Sequence, residues 1–250
     1  KLDMKRIEGY RNFVTKIWQA CSYGDSQIDA FSATRGAEPP KATLPLNRWI
    51  IGEIAKLREE VDGAFEAYRF NDAANALYSF FWNSFCARYL EFTKPIFFAD
   101  DQAAKDETQA VYAWAVDQAL ILMHPIMPFV TEEIWNVTQG RGYADGDSAQ
   151  MLVHANWPTY TAADLVDADA EREMNWVIAV IDNIRSARAQ LNVPAGAKVP
   201  MLVTEIDADG QAYWDRNGEL IKRFARIESL TKADTLPKGC ISIGAPGASF

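Results

Sequence analysis

The sequence has few of the residue types that carry out covalent and acid–base catalysis. Of its 250 residues, two are histidines and three are cysteines. None of the short motifs that mark a nucleophile elbow, a phosphate-binding loop, a dinucleotide site or a zinc protease occurs. Hydrolytic, phosphoryl-transfer and hydride-transfer functions therefore lack the residues they need. We expect no catalytic residue, no bound cofactor and no metal ligand in this chain.

The cysteines and the apolar residues exclude further classes of protein. Cys21, Cys86 and Cys240 are odd in number and widely spaced, which is typical neither of a disulfide framework nor of a zinc site. The apolar stretch without a charged residue over residues 118–131 contains two prolines and is too short to span a bilayer. We therefore expect a cytoplasmic protein with no membrane partner. The chain begins at Lys1 without a signal-peptide pattern, so we expect it to be a piece of a longer protein.

Acidic residues outnumber basic ones, and the formal net charge is −9. Indiscriminate binding to nucleic acid depends on clustered lysines and arginines that neutralise phosphates. The charge therefore argues against such binding and against DNA as a partner. The excess of acidic residues is not distributed evenly along the chain, because residues 1–24 hold five bases and two acids. Any contact with nucleic acid would have to be local.

Helical periodicity dominates the first 140 residues and predicts an antiparallel helical bundle. The first helix carries an apolar stripe and ends near Gly24, and residues 25–43 form a long connection. The stripe consists of Ile7, Tyr10, Val14, Ile17 and Cys21. The other predicted helices run from Leu46 to Tyr68, from an N-cap at Asn71 to just before Pro95, from Asp100 or Asp101 to a break at His124–Pro125, and over residues 130–138.

The pattern changes in the second half of the chain. Residues 139–147 read as a loop, and a long sixth helix through Met174 and Leu191 ends at Pro194. Residues 198–206 and 240–243 are predicted strands, and residues 211–228 are a predicted helix interrupted at Gly218. The fold class is therefore mainly α, with a bundle over residues 1–157. Residues 158–250 form the long helix and a small α/β appendage.

One face of the first helix carries a row of polar residues opposite the apolar stripe. At 100° per residue, five side chains fall within about 60° of one another. They are Lys5, Asn12, Lys16, Gln19 and Tyr23. An unpaired base needs a flat ring for stacking, hydrogen-bonding groups for its edge and cations for the flanking phosphates. The row supplies all three, although a solvated helix face has a similar composition and remains the alternative.

Three segments of the sequence resemble the C-terminal anticodon-binding region of valyl-tRNA synthetases. They are Asp3-Met-Lys-Arg-Ile-Glu-Gly-Tyr-Arg-Asn-Phe-Val-Thr-Lys-Ile-Trp-Gln-Ala, Trp82-Asn-Ser-Phe-Cys-Ala-Arg-Tyr-Leu-Glu-Phe-Thr-Lys-Pro and His124-Pro-Ile-Met-Pro-Phe-Val-Thr-Glu-Glu-Ile-Trp. The third is shared in form with isoleucyl and leucyl relatives. The first segment, together with a fourth from Ile184 to Pro200, resembles the valyl enzymes specifically.

The resemblance implies a class I synthetase bundle that recognises the anticodon loop of the valine tRNA. Family contacts carried over by motif fall on Arg6, Lys16, Tyr23 and Leu90. Together with Asn12 and Gln19 from the polar row, these are the predicted tRNA-binding residues. The family's HIGH and KMSKS signatures are absent, so the resemblance implies that ATP, Mg²⁺ and valine are handled elsewhere in a longer enzyme. It also implies a C-terminal coiled coil after the appendage, and we expect a monomer.

Two alternatives remain open. The chain could be the anticodon-binding domain of an isoleucyl- or leucyl-tRNA synthetase. It could also be a non-enzymatic helical module that binds a partner helix through its apolar third helix or a tryptophan-rich surface.

Overall fold

The computed structural model describes residues 4–27, 38–137, 151–235 and 237–250, and the backbone but not the side chains of residues 4–6, 25 and 27. In the first unit, residues 1–167, the regular structure of the described residues is helical. Its α-helices are α1 (Met4–Gln27), α2 (Pro45–Glu66), α3 (Phe70–Ser79), α4 (Glu91–Phe97), α5 (Gln102–Met123), α6 (Pro128–Val137) and α7 (Ala162–Leu165). A π-helical segment (Phe80–Leu90) joins α3 to α4, and a 3₁₀ turn covers Leu152–His154. The predicted loop over residues 139–147, and most of the one over 25–43, lie outside the described residues.

Helix α3, the π-helical segment and α4 form one continuous helix over residues 70–97, which we call the central helix. The sequence predicted an N-cap at Asn71 and an end before Pro95, and both bounds are wrong. The helix begins at Phe70 and passes through Pro95. Pro95 lies in the α-helical segment, where an amide at this position would donate to the Glu91 carbonyl, but proline has no N–H. Close by, the Thr93 hydroxyl donates to the Leu90 carbonyl at 2.8 Å.

The start of α2 is fastened to α5 by a single carboxylate. Glu107 accepts hydrogen bonds from the amides of Thr43 and Leu44, both at 2.9 Å, and from the Thr43 hydroxyl at 2.6 Å. It also accepts from Asn47 Nδ2 at 2.9 Å, and Tyr89 of the central helix donates to Asn47 Oδ1 at 2.9 Å. Burial raises the pKa of Glu107, but these hydrogen bonds outweigh it, so the pKa is lowered from its ordinary value of 4.5.

Helix α2 ends with a tyrosine in the left-handed region. The amide of Tyr68 donates to the Phe65 carbonyl and that of Arg69 to the Ala64 carbonyl, which is the Schellman arrangement. Tyr68 has φ 56° where glycine is the usual residue, and its side chain is 82% exposed. The position is therefore strained and receives little packing in return.

Of the other predicted bounds of the bundle, the end of the first helix near Gly24 is wrong, because α1 continues to Gln27. The bounds of α2, α5 and α6 are confirmed within two residues. Asp101 is the N-cap of α5, and its side chain accepts a hydrogen bond from the Ala104 amide at 3.1 Å. Helix α5 ends at Met123, and a turn at His124–Pro125 leads into α6. The predicted helical bundle with a small α/β appendage is the fold observed.

The first unit ends at Asp167, ten residues later than the predicted boundary at residue 157. The intervening segment belongs to the bundle because α2 holds it. Arg58 donates to the Tyr160 carbonyl at 2.9 Å, and Arg48 pairs with Asp167 at 2.6 Å. Val166 also lies so close to Gly52 that a Cβ there would be 3.3 Å from its Cα.

The second unit, residues 168–250, contains α8 (Ala168–Gln190), α9 (Ala208–Ala225) and five short strands. The strands are β1 (Val199–Val203), β2 (Glu205–Ile206), β3 (Ile227–Lys232), β4 (Gly244–Ala245) and β5 (Ala248–Ser249). Strand β1 precedes α9 along the chain and β3 follows it, and these two strands pair in parallel. Strand β5 lies between β2 and β4 in an antiparallel sheet.

Three predictions for this unit are wrong in detail. Helix α9 is continuous through Gly218, where a Cβ would lie 3.2 Å from the Trp214 indole nitrogen. The segment Ile227–Lys232 is a strand that the sequence did not predict, because most of its side chains are exposed. Residues 240–243 are not a strand, and β4 begins at Gly244, although Ile243 already exchanges two backbone hydrogen bonds with Phe250, at 2.7 and 2.9 Å.

Candidate nucleic-acid interface

Helix α1 buries one side against the central helix and α5. The buried residues are Phe13, Ile17, Ala20, Cys21 and Gly24. Phe13 lies against Tyr78, with ring centroids 4.6 Å apart, and the Tyr112 hydroxyl donates to the Ala20 carbonyl at 2.8 Å. A Cβ at Gly24 would overlap the Tyr112 ring. Glycine therefore allows α1 and α5 to approach closely at this point.

The predicted apolar stripe is right only in its second half. Ile17 and Cys21 are buried, but Ile7 is 44% exposed and Tyr10 is 61% exposed. The helix makes its first buried contact at Phe13, so the residues before it have no described core to enter. The sequence predicted burial from amphipathic spacing alone, which does not show where along a helix its neighbour begins.

The polar row lies along the edge of this contact. Asn12 and Gln19 are exposed, and Lys16 and Tyr23 are half-buried. The side chains of Lys5 and Arg6 lie outside the described residues, so the predicted role of Arg6 has no described geometry. The two half-buried side chains are not sealed in the interior, and each faces the central helix.

Lys16 and Tyr23 each take part in a contact between an ammonium group and an aromatic ring. Lys16 Nζ lies 4.5 Å from the centroid of Trp82, and Lys94 Nζ lies 5.6 Å from the centroid of Tyr23. Lys94 is also paired with Glu91 at 2.6 Å. Such contacts attract the cation to the ring face and hold both side chains near the surface.

The Tyr23 hydroxyl is enclosed and has no hydrogen-bond partner among the groups that the structure describes. Burial raises the pKa of Tyr23, and the nearby Glu91 carboxylate raises it further. The phenol therefore stays neutral at physiological pH and offers its ring rather than a charge.

Leu90, the remaining predicted contact, lies on the π-helical segment beside Glu91 and is 8% exposed. Only a small part of its side chain is available to a ligand.

The thiols beside this surface are not nucleophiles. Burial raises the pKa of Cys86 to about 12, with Lys16 lowering it and Glu91 raising it. Burial also raises the pKa of Cys21 strongly. Since the thiolate is the reactive form, both cysteines are inert. The surface combines rings, ammonium groups and amides, which suits binding.

The histidines and acidic residues form no metal site in the described part of the chain. His124 Nδ1 lies 2.8 Å from the Thr131 hydroxyl, which ties the turn to α6, and His154 is exposed. Within residues 4–27, 38–137, 151–235 and 237–250, no three histidine, cysteine or acidic side chains come together to hold a metal ion. None of the helices described there combines the length and apolarity that crossing a bilayer requires.

Comparison with known families assigns this bundle. The family model for the anticodon-binding domain of tRNA ligase matches residues 47–203, which is more than half of the chain. The chain belongs to this family. The match to this anticodon-binding domain includes Leu90, Lys94 and Trp82, whereas α1, with Lys16 and Tyr23, precedes it.

Individual relatives extend the similarity over α1. The valine–tRNA ligase of Ruegeria pomeroyi is 59% identical over 254 aligned residues, and that of Cereibacter sphaeroides is 49% identical over 250. Both alignments cover 100% of this chain and 24% of the relative. The valine–tRNA ligase of Rhizobium meliloti is 43% identical over 97% of the chain. The chain thus spans about a quarter of the length of these relatives.

The sequence did not single out the partners that the central helix supplies to this anticodon-binding domain. Trp82, Tyr78 and Lys94 lie on a different element from the polar row. Helical periodicity gives the faces of one helix but not the rotation at which two helices meet. The four-residue spacing of Tyr78 and Trp82 was the available signal, since it places the two rings side by side.

Proposed function

We propose that the chain recognises the anticodon loop of a valine tRNA as part of a valine–tRNA ligase. The observation that carries this proposal is the 59% identity to such a ligase over the whole chain, α1 included. The arrangement of rings and ammonium groups along α1 and the central helix supports it, because unpaired loop nucleotides are bound by stacking and phosphate contacts.

The residues of the interface divide into three roles. The Tyr23 ring stacks on an unpaired base, and Lys16 contacts a flanking phosphate. The exposed amides of Asn12 and Gln19 hydrogen-bond base edges. Arg6 contacts a phosphate from the start of α1. The exposed edge of Leu90 packs against a base.

The whole protein then attaches valine to its tRNA in an ATP-dependent reaction. We assign ATP, Mg²⁺ and valine to the parts of the protein outside this chain, since the chain corresponds to 24% of the length of the Ruegeria pomeroyi ligase. We propose a cytoplasmic monomer whose described part holds and positions the tRNA.

The proposal is tested by filter binding with anticodon stem-loops that differ only in the anticodon. We expect the 250-residue chain to retain the valine stem-loop better than the isoleucine and leucine stem-loops. Preference for one of the latter two would identify the domain as that of the corresponding relative. Equal retention of all three, or none, would contradict anticodon recognition.

The alternative of a protein-interaction module finds little support in the central helix. Leu77, Phe81 and Phe85 are buried inside the bundle, so the apolar side of this helix is already covered. The exposed rings Tyr68 and Phe129 lie near the ends of other elements, α2 and α6.

A further inference from the structure

Two contacts between a lysine and an aromatic ring cross the boundary between α1 and the central helix in opposite directions. In the first, Lys16 of α1 lies over the Trp82 ring of the central helix. In the second, Lys94 of the central helix lies over the Tyr23 ring of α1. Each helix thus supplies one ring and one ammonium group. The site proposed above uses only the members of the two pairs that belong to α1.

We propose that Trp82 and Lys94 form a second half of the RNA-binding surface, in which Trp82 stacks on a further unpaired nucleobase and Lys94 contacts a further phosphate. This inference rests on the proposed function. It assigns to the central helix the same two chemical tasks that α1 performs.

The surroundings of Trp82 suit a stacking platform. Tyr78 stacks on the indole at a centroid distance of 5.7 Å and an interplanar angle of 12°, and it is 38% exposed. The buried ring of Phe13 contacts both, with its centroid 6.5 Å from that of the indole and 4.6 Å from that of Tyr78. These aromatic neighbours fix the indole, whereas Lys16 is a flexible side chain that can withdraw from it. A base can therefore take the place of the ammonium group over the ring.

The exchange is favourable because the displaced ammonium group gains a phosphate. Stacking of a base on an aromatic side chain is stronger than a cation–π contact at a solvent-exposed site. Lys16 then moves from the ring to the backbone of the same RNA strand. The identical exchange at Tyr23 releases Lys94.

Lys94 can contact a phosphate without leaving Glu91. Its ammonium group has three N–H donors, of which the 2.6 Å contact with Glu91 uses one. The Lys94 side chain is partly exposed, so the remaining donors can reach a ligand. Lys16 and Lys94 together place two positive charges along the boundary of a chain whose net charge is −9.

The test measures binding of a fluorescently labelled valine anticodon stem-loop to the 250-residue chain by anisotropy. We expect Trp82→Leu to weaken binding by about 5- to 150-fold, the range for loss of one stacked base. We expect Lys94→Gln to reduce the slope of log K against log salt by about 0.7. Trp18→Leu is the matched tryptophan control, because Trp18 is 41% exposed and lies on the side of α1 opposite Lys16 and Tyr23. Lys56→Gln is the matched lysine control, because Lys56 pairs with Glu53 three residues away at 3.0 Å.

Stem-loops with one abasic loop position identify the base on each ring. Removing the base that stacks on Trp82 should weaken binding to the wild-type chain but have little further effect on Trp82→Leu. The position affected should differ from the one that depends on Tyr23. If Trp82→Leu lowers the thermal stability of the fold, the stem-loop binding of Trp82→Phe and Lys94→Gln decides whether the central helix contacts the RNA.

The outcomes separate this inference from the proposed function. If the wild-type chain discriminates between anticodons while the Trp82 and Lys94 variants bind like their controls, the inference is wrong and the proposed function stands. If the wild-type chain does not discriminate between anticodons, the proposed function fails and the second half fails with it.

Discussion

Tyr23 contributes a ring whose hydroxyl serves no described partner. We therefore expect Tyr23→Phe to bind the valine stem-loop as well as the wild-type chain does. Tyr23→Ala should lose about 1–3 kcal/mol of binding free energy, because a stacked base loses its platform. Equilibrium anisotropy titration measures both variants. Tyr10→Ala is the control, since Tyr10 is 61% exposed on another side of the same helix. Unchanged affinity in Tyr23→Ala would show that α1 does not bind the RNA through the face that carries Tyr23.

Tyr68 is a residue whose backbone conformation favours glycine. We expect Tyr68→Gly to raise the free energy of unfolding by about 0.5–1 kcal/mol, because it relieves the left-handed strain and removes a largely exposed ring. Denaturant unfolding measures the change. Asn192→Gly is the control, since Asn192 has φ 54° but asparagine tolerates this region. A loss of stability in Tyr68→Gly would mean that the ring packs more strongly than its exposure indicates.

At the scale of elements, Glu107 joins the N-terminus of α2 to α5. Glu107→Gln should lower the free energy of unfolding by about 1–3 kcal/mol near neutral pH, because the amide cannot accept from all the donors that the carboxylate serves. The folded-state pKa of Glu107 lies below its ordinary value of 4.5. Its stabilisation is therefore complete above pH 4.5 and is lost as the pH falls through the folded-state pKa.

Urea unfolding of both proteins from pH 7 to pH 3 checks this prediction. The difference between wild type and Glu107→Gln should stay constant down to about pH 5 and shrink below it. Glu133→Gln on α6 removes an exposed carboxylate and serves as the control. A difference that persists at pH 3 would show that the shape of the side chain matters and its charge does not.

Amphipathic spacing and capping residues predicted most helices of the bundle, but not the features that depend on packing. The Asp101 cap and the break after Met123 are local signals, and they were predicted correctly. The central helix continues through Pro95, although a proline is a local signal for the end of a helix. The strand at Ile227 forms because β1 lies beside it, and its exposed residues carry no alternating pattern.

The candidate site was predictable to the same extent. The shared face of Lys16 and Tyr23 follows from the geometry of a single helix. Trp82 and Lys94 join them only because α1 and the central helix meet at a particular rotation. That rotation depends on contacts such as those of Phe13, whose ring centroid lies 4.6 Å from that of Tyr78 and 6.5 Å from that of Trp82, and it cannot be read from either helix alone.

At the scale of the whole molecule, the net charge of −9 limits RNA binding to places where basic residues are concentrated. We expect Lys16→Ala to reduce the slope of log K against log salt by about 0.7, the value for one phosphate contact on a single strand. Titrations with the valine stem-loop at several salt concentrations measure the slope. Lys105→Ala, on α5, should leave it unchanged. If Lys16→Ala leaves the slope unaltered, Lys16 does not contact a phosphate.

The three thiols have a practical consequence for spectroscopy. Cys21 and Cys86 are buried and held protonated, whereas Cys240 is exposed in the second unit. A maleimide fluorophore added to the folded chain should therefore attach at Cys240 alone, without mutagenesis, and peptide mass mapping would verify the attachment. The dye would be attached to the second unit, whereas the residues of the proposed interface belong to the first.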